Sequence, residues 1–276
     1  MNRLRAWFLA PSWAVTIVLL LAPMAIVLAY SLLTRGVYGG ITTPWTLESW
    51  TRLADRLYLS ILVRSFWIAG ASTALCLICA FPLALFLARA GKRKNLYLSL
   101  VILPFWTSFL VRTYAWMFLL RDTGLINTGL QKLGLIHDPL PLLYNDGAVI
   151  LGLVYGYLPF MVLPLFATLE RIDHGLLEAA ADLGARPFLA FWRVIVPLSA
   201  PGIRAGAILV FIPCLGAYLT PDLLGGGKTV MVGNLIQNQF TTARDWPFGS
   251  AISLALMALV MILLLAVLRR DREAML

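Results

Sequence analysis

Charged residues, cysteines and histidines are all scarce in this chain. Charged residues make up 13% of the sequence and hydrophobic residues 61%, whereas an average soluble domain carries about 25% charged residues. So few charges cannot cover the surface of a water-soluble globule of this size. The composition therefore excludes an ordinary soluble protein and indicates an integral membrane protein.

The three cysteines all fall within apolar runs, which argues against a disulfide framework. Cys76 and Cys79 form a Cys-x-x-Cys pair, which in a soluble protein would suggest a redox centre. We interpret them instead as small buried residues one turn apart on a membrane helix. His137 and His174 lie far apart, and neither HExxH nor Gly-x-Ser-x-Gly occurs. The sequence thus supports neither a metal site nor a membrane enzyme.

Long apolar runs predict an all-α integral membrane fold with six transmembrane helices. A helix needs about 20 apolar residues to cross the hydrocarbon, and unpaired backbone groups are too costly in lipid for most other structures. We find no linker or repeat that would divide the chain, so residues 1–276 are predicted to form one transmembrane domain. The predicted spans cover residues 13–33, 65–88, 96–120, 148–169, 205–221 and 248–268.

Basic residues beside the spans predict the orientation. Arg89, Lys92, Arg93 and Lys94 crowd into the short turn between the second and third spans, a pattern typical of cytoplasmic loops. Both termini, and the segment 170–200, are then expected in the cytoplasm. The net charge of +9 does not indicate nucleic-acid binding, because the basic residues lie at span ends rather than on one contiguous face.

Arg112 is the one charged residue inside the third span. It follows Leu96 by sixteen residues, or about 24 Å of straight helix at 1.5 Å per residue. We therefore expect it at the outer membrane interface, where an arginine can reach water. The alternative is an arginine that lines a pathway through the protein. In the loop before the second span, Leu47 to Leu59 is predicted to form a short surface helix.

The segment 170–200 is predicted to form a helical hairpin. Asp173 is placed to cap a helix from His174 to Leu183, and Gly184 is suited to end it. Pro187 then begins a second helix, which should stop near Val196 because Pro197 follows. That helix is expected to pack against the membrane spans through Phe188, Phe191, Trp192 and Ile195. The hairpin is either a surface for a soluble partner or merely a solvated loop.

This hairpin resembles the EAA loop of ABC importer permeases. The family pattern is Glu-Ala-Ala, three residues, Gly, nine residues, then Ile-x-Leu-Pro. This chain matches it with valines at positions 194 and 196. The resemblance implies a type I permease fold and a coupling hairpin that fits a cleft on an ATPase subunit. The implied coupling residues are Glu178, Ala179, Ala180, Gly184 and Pro197, with Asp182 and Arg186 beside them.

The resemblance extends to permeases of the spermidine/putrescine type. It includes Leu103 to Trp116, Pro221 to Gly226 and Arg244 to Gly249. It implies a bacterial inner-membrane importer with two ATP-binding cassette subunits, a second and different permease, and a periplasmic binding protein. ATP and magnesium would bind in those partner subunits, and no cofactor is expected in this chain. Gly227-Lys228-Thr229 ends like a phosphate loop, but Asp222 replaces the required glycine.

A polyamine pathway needs aromatic faces or negative charge. The candidates in this chain are Trp106, Tyr155, Tyr157 and Tyr218, with Asp222 at the outer mouth; ordinary packing or anchoring at the membrane interface is the simpler explanation of each aromatic. Two other functions stay open: a related importer of another amine or amino-acid-like solute, and an ion-coupled secondary transporter. The second is disfavoured because the spans are nearly free of the carboxylates that bind coupling ions.

Overall fold

The computed structural model describes residues 2–173 and 175–273, without the side chains of residues 2–12, 14, 268 and 270–273. His174, where the first hairpin helix was expected to start, lies outside the described residues. The elements in chain order are α1 (Asn2–Ser31), β1 (Leu33–Arg35), β2 (Ile41–Trp45), α2 (Glu48–Arg52), α3 (Arg56–Arg89), α4 (Lys94–Ile102), α5 (Phe109–Leu120), α6 (Leu125–Lys132), α7 (Asp146–Leu169), α8 (Gly175–Asp182), α9 (Pro187–Ala190), α10 (Val196–Leu198), α11 (Ala200–Leu215), α12 (Leu219–Gly225), α13 (Val232–Thr241) and α14 (Trp246–Glu273).

The helices of the described residues include up to five candidate membrane spans and one shorter apolar helix. Among the described residues, α3, α7 and the Trp246–Val267 part of α14 are each long and apolar enough to cross a membrane. Two further candidates are bent helix pairs, Gly91–Trp106 with Phe109–Lys132 and Pro187–Leu198 with Ala200–Leu215. A shorter apolar helix, Val15–Ser31, supplies the remaining candidate. The predicted all-α membrane class is confirmed.

Two predicted spans differ from the helices that form. The third is bent by 85° because Leu103–Trp106 tightens into a 3₁₀ turn around Pro104 and Thr107 is extended (φ −77°, ψ 153°). The fifth divides into α11 and α12, with the break between Leu215 and Leu219. The second span, by contrast, extends towards its N-terminus, since α3 begins at Arg56. A hydropathy run shows where apolar residues are but not where the backbone turns.

Contacts divide the chain into two compact units, whereas the sequence analysis treats it as one domain. The smaller unit comprises Met1–Ser60 and Leu235–Leu276. In it α1 packs against α14, which joins the two ends of the chain. Strands β1 and β2 pair antiparallel, with Arg35 opposite Ile41.

The short surface helix expected over residues 47–59 does not form as one piece. α2 ends at Arg52, and α3 begins at Arg56. The turn between them is closed by backbone hydrogen bonds from Ala54 to Thr51 and from Asp55 to Arg52, each 3.1 Å. Arg52 then reaches Oδ2 of the buried Asp245 at 2.9 Å, while Oδ1 of Asp245 accepts the amide of Phe248 at the start of α14. That pair holds the turn against α14.

The larger unit, Ile61–Asn234, is built around α7. Helix α11 packs closely along it, because glycines on α11 leave room for the α7 backbone. A Cβ added at Gly202 would come within 2.8 Å of the Pro164 carbonyl oxygen, and one at Gly206 within 2.6 Å of Sδ of Met161. The deepest side chains of this core include Leu153, Met161, Val162, Leu165 and Val210.

Candidate functional sites: the helical hairpin and the aromatic cluster

The first helix of the hairpin is capped at both ends by its own sequence. Oδ1 of Asp173 accepts the amide of Gly175 at 3.0 Å. At the other end, the amide of Ala185 donates to Ala180 O at 2.9 Å, and the amide of Gly184 donates to Ala181 O at 2.8 Å. This pair of bonds is the Schellman motif. It requires a left-handed residue, and Gly184 supplies φ of +80°.

The second helix of the hairpin runs through the proline that was expected to stop it. α9 begins at Pro187 as predicted, but a π-helical turn follows at Phe191–Ile195, and α10 then continues to Leu198. The helix therefore ends at Leu198, two residues after the predicted stop near Val196, and includes Pro197. The wider π turn precedes Pro197, whose missing N–H would interrupt a regular α-helix at this point.

Of the four side chains expected to pack against the membrane spans, three lie next to them: Phe191, Trp192 and Ile195. The Phe191 ring meets Phe81 of α3 edge-on at 5.3 Å, and Ile195 is buried. Trp192 is 54% exposed but lines an apolar groove with Leu77 and Phe81 of α3. Phe188 was also expected to pack against the spans, but it contacts Trp192 and stays 75% exposed. A turn of helix presents only part of its circumference to one neighbouring helix, so Phe188 remains on the free side.

The predicted coupling residues lie on the accessible part of the hairpin. Glu178, Ala179, Asp182, Gly184 and Arg186 are exposed. Leu183, between them, is 89% exposed, which is costly for a leucine in water. Pro197 is also exposed and lines a shallow apolar groove between the two helices, together with Leu176, Ala179, Ala180, Leu183, Arg193, Val194 and Leu198. This surface has the character of an interface.

An ion pair joins the base of the hairpin to α4, the first part of the bent third span. Nζ of Lys94, at the start of α4, contacts Oε1 of Glu170, directly after α7. Beside it, Arg89 and Glu170 line a small crevice with Leu177 of α8 and Ile195. The short basic turn that predicts the orientation therefore also contacts the segment that leads into the hairpin.

At the opposite end of α7, the glycine-lysine-threonine segment is used for packing. Oγ1 of Thr229 donates to Oδ1 of Asp146 at 2.5 Å. Arg64 of α3 donates to the same Oδ1 at 2.6 Å and to the carbonyl of Lys228 at 3.1 Å. The residues that resemble the end of a phosphate loop thus bind the protein's own carboxylate and guanidinium.

A glycine allows this loop to close. Gly226 has φ of +54°, and a Cβ there would lie 2.2 Å from the ring of Tyr144. The amide of Tyr144 in turn donates to the carbonyl of Leu224 at 2.9 Å. Further along, the amide of Val232 donates to Oγ of Ser65 at 2.8 Å. The N-terminal part of α3, the start of α7 and the loop after α12 are therefore fixed to one another.

An aromatic cluster forms where the bent third span meets α7. The Tyr155 ring stacks on Phe105 at 5.9 Å and meets Trp116 edge-on at 5.5 Å. The guanidinium of Arg112 lies over Phe105 at 4.6 Å, over Phe109 at 5.7 Å and over Tyr155 at 5.9 Å. Phe109 is seated against Gly156 of α7, where a Cβ would lie 2.8 Å from the ring.

Arg112 lies beyond a bend that the sequence analysis does not expect. Tyr155, which it contacts, is nine residues from Asp146 at the start of α7, or about 14 Å along the helix. The bend at Thr107 places Arg112 in the first turn of α5, so the estimate from a straight helix is wrong. Within the described residues, its Nε and Nη1 are buried without a hydrogen-bond partner.

The other predicted pathway residues are spread over the same unit. Trp106 is 85% exposed, directly before the break in the third span. The Tyr157 hydroxyl donates to the carbonyl of Pro213 at 3.4 Å. Tyr218 and Asp222 are exposed one turn apart on α12, where the Asp222 amide donates to the Tyr218 carbonyl. Of the predicted residues, the described ring contacts bring Tyr155 alone to Arg112.

Sequence reasoning did not find the Arg64–Asp146–Thr229 contact. These residues are far apart in the chain and match no motif, so only the fold brings them together. Among the described residues, no group of three or more histidine, cysteine or acidic side chains is placed to hold a metal ion.

Comparisons with known proteins identify the kind of protein these features belong to. Residues 80–270 match the model for the family "Binding-protein-dependent transport system inner membrane component". The chain is 42% identical to the spermidine/putrescine transport system permease protein PotB of Haemophilus influenzae, over 95% of this chain and 91% of that one. It is also 42% identical to PotB of Escherichia coli, over 94% of each chain. In shape it is similar to a chain of a bacterial ABC transporter involved in the import of the acidic polysaccharide alginate. The TM-score is 0.76, with 16% identity over 99% of this chain and 97% of that one.

Proposed function

Because the chain belongs to the inner membrane components of binding-protein-dependent transport systems, we propose that it forms half of the translocation pathway of an ATP-driven polyamine importer. The proposed substrate class rests on the 42% identity to a spermidine/putrescine permease over 95% of the chain. The motifs of the third span and the last loop, which resemble those of spermidine/putrescine permeases, support the same substrate class. Spermidine or putrescine is the proposed cargo.

The hairpin gives this permease a means of being driven. Its exposed Leu183 and the groove beside Pro197 offer an apolar surface that can fit a cleft on an ATPase subunit, while Glu178 and Asp182 add negative charge at the edge. Closure of two ATPase subunits on ATP would draw two such hairpins together. The attached helices, which contact the hairpin through Phe81 and Phe191, would then carry the movement to the far gate.

The remaining parts of the assembly follow from the same family. We propose two ATP-binding cassette subunits that hold ATP and magnesium, a second and different permease, and a periplasmic binding protein. A solved alginate transporter of similar fold is in complex with a periplasmic protein, with a TM-score of 0.74 and 18% identity. Both termini and the hairpin would lie in the cytoplasm, and the loop that carries Asp222 would face the periplasm.

Orientation can be tested by labelling two exposed positions. In a background without the native cysteines, Leu183→Cys and Tyr38→Cys place a thiol at residues that are 89% and 95% exposed. A membrane-impermeant maleimide added to intact spheroplasts should label position 38 and leave position 183 unlabelled until the membrane is opened. The reverse pattern would place the hairpin outside, where no cytoplasmic ATPase could reach it.

Function is tested by reconstitution. The complete complex in proteoliposomes, supplied with binding protein and with ATP on the ATPase side, should accumulate labelled spermidine or putrescine. An ATPase subunit lacking its phosphate-loop lysine is the control and should abolish uptake. Uptake driven by an ion gradient without ATP would instead indicate a secondary transporter. ATP-driven uptake of a different amine or amino acid, but not of polyamines, would correct the substrate class alone.

A further inference from the structure

The aromatic cluster at the bend of the third span contains a cation that is held by rings. The guanidinium of Arg112 lies 4.6 Å from the centre of Phe105 and 5.9 Å from that of Tyr155. Aromatic rings attract cations through their negative faces. Within the described residues, Nε and Nη1 of Arg112 are buried without a hydrogen-bond partner. Neither nitrogen would lose a hydrogen bond in the protein if the guanidinium moved away.

The aromatic cluster includes residues from both sides of the bend in the third span. Phe105 lies in the 3₁₀ turn before the break, whereas Phe109 and Arg112 lie on α5 after it. The two parts meet at 85°, and Tyr155 of the continuous helix α7 contacts both. Any change in that bend alters the distance between Phe105 and Arg112. Cation binding in the cluster and the conformation of the third span are therefore coupled.

A protonated primary amine can use the same rings as a guanidinium. We propose that the rings of Phe105, Phe109 and Tyr155 form a cation-binding site of the pathway, which Arg112 occupies in the absence of cargo and which an ammonium group of the polyamine takes over during passage. This inference rests on the proposed function, since it needs an organic cation as cargo. Arg112 then competes with the polyamine for the same aromatic rings.

The displacement follows from charge. Two cations cannot occupy one ring cluster, because like charges at such distances repel. An entering ammonium group therefore requires the guanidinium to move into the hydrated space of the opened pathway. Once the amine has left, the rings attract Arg112 again, and the site is closed to small inorganic cations. An arginine there would oppose leak while the transporter rests.

Competition predicts that removal of the arginine strengthens amine binding. The test measures equilibrium binding of tritiated spermidine to the complete permease–ATPase complex in nanodiscs, without binding protein. Arg112→Met, which retains bulk but no charge, should bind spermidine at least five times more tightly than wild type. Arg112→Lys, which keeps the charge, should remain near wild type. Adding Tyr155→Leu to Arg112→Met should abolish the gain.

Arg121 provides a matched control. Its guanidinium also lies 4.6 Å from a ring centre, that of Phe118, but at the far end of α5. Arg121→Met should leave spermidine binding unchanged. Equal affinity in Arg112→Met and wild type, or a gain that survives Tyr155→Leu, would overturn the inference.

A second measurement needs no variant and so does not depend on how the variants fold. Phenylglyoxal modification of the wild-type complex, mapped to each arginine by mass spectrometry, should rise severalfold at Arg112 when spermidine is added, while Arg121 stays constant. Unchanged reactivity at Arg112 would contradict displacement. The same preparation is assayed for ATP-driven spermidine uptake with binding protein. Absent uptake overturns the proposed function and this inference with it, whereas normal uptake with unchanged reactivity overturns the inference alone.

Discussion

Arg64 and Asp146 form an ion pair that fixes the start of α7 to α3, with Nη2 of Arg64 2.6 Å from Oδ1 of Asp146. The same oxygen accepts from Thr229 at 2.5 Å, and Arg64 also binds the Lys228 carbonyl. The carboxylate of Asp146 thus links α7 to α3 and to the loop after α12. Because the pair lies at the end of α7 away from the hairpin, it is suited to keep that end rigid during the hairpin movement that we propose.

Substitutions of Arg64 and Asp146 should lower the free energy of unfolding, and the two effects should not be additive. Both side chains are 41% exposed, so solvent screens the attraction, and we expect Arg64→Met to lower the free energy of unfolding by about 1 kcal/mol. Asp146→Ala should cost about 2 kcal/mol, because it also leaves the Thr229 hydroxyl without an acceptor. The double variant should cost less than the sum of the two.

Thermal unfolding of the purified chain measures these differences, and Asp138→Asn serves as the control. Asp138 is an exposed acid in the loop before α7, so its removal changes the net charge equally without breaking this contact. Strict additivity of the Arg64 and Asp146 variants would show that the two groups do not act together.

Close packing of α11 on α7 leads to a second prediction. Gly202→Ala adds a Cβ that would lie 2.6 Å from Oγ1 of Thr168 and 2.8 Å from the carbonyl oxygen of Pro164. Backbone cannot move aside as a flexible side chain can, so the helices must separate. We expect a loss of about 1–3 kcal/mol in the free energy of unfolding.

A matched glycine lies on α3. Gly70 has open space around its Cβ position among the described residues, with nothing within 4 Å. Gly70→Ala should therefore be neutral or slightly stabilising, since alanine favours the helix. Denaturant unfolding of both variants gives the comparison, and an equal effect at the two positions would argue against the close α7–α11 contact.

Local signals in the sequence were sufficient to predict the two helices of the hairpin. They were not sufficient to predict which of its side chains pack against the membrane helices. Asp173, Gly184 and Pro187 act on neighbouring backbone, so capping rules identify them and the structure agrees. Which of the ring residues pack inward depends on the direction from which α3 approaches. Hydropathy cannot give that direction, and so Phe188 was assigned to the wrong side.

The same distinction explains the error at Arg112. Depth was estimated by counting residues along a straight helix, and a count cannot include the 85° bend at Thr107. Pro104 hinted at an irregularity, but proline in a membrane helix is often accommodated by its neighbours. The cluster around Arg112 also needs Tyr155, some forty residues later in the chain. Contacts of this kind follow from packing, which no local pattern contains.

Asp222 is predicted to help draw an organic cation into the pathway. It is exposed on α12, one turn from the half-exposed ring of Tyr218, and α12 packs against α5 and α7. A carboxylate there lowers the energy of an approaching polyamine. Asp222→Asn should reduce the rate of spermidine uptake several-fold at low salt and less at high salt, because salt screens the attraction.

Uptake in proteoliposomes at two ionic strengths measures this effect. Asp122→Asn is the control, since Asp122 is an exposed acid in the loop after α5. Full uptake by Asp222→Asn at low salt would remove Asp222 from the pathway.

Gly184 fixes the backbone conformation at the end of α8, next to the surface proposed to contact the ATPase. Its φ of +80° lies in the left-handed region, where a side chain costs about 1–2 kcal/mol. Valine there, being β-branched, should unwind the Schellman turn and shift Leu183, which is exposed on the surface proposed for the ATPase. We expect Gly184→Val to reduce spermidine transported per ATP hydrolysed about tenfold while the complex still hydrolyses ATP.

The turn at the end of α6 gives a control of the same geometry. Gly134 has φ of +69° and closes the same pair of backbone bonds, from Leu135 to Leu130 and from Gly134 to Gln131. Among the described residues, a Cβ at either glycine would meet nothing within 4 Å, so both valine variants carry backbone strain without a clash. Gly134→Val should then lose a similar amount of stability but retain coupled transport. If both variants uncoupled equally, general strain rather than the hairpin would be responsible; if Gly184→Val assembled and transported normally, the hairpin would not be the point at which ATP hydrolysis drives this permease.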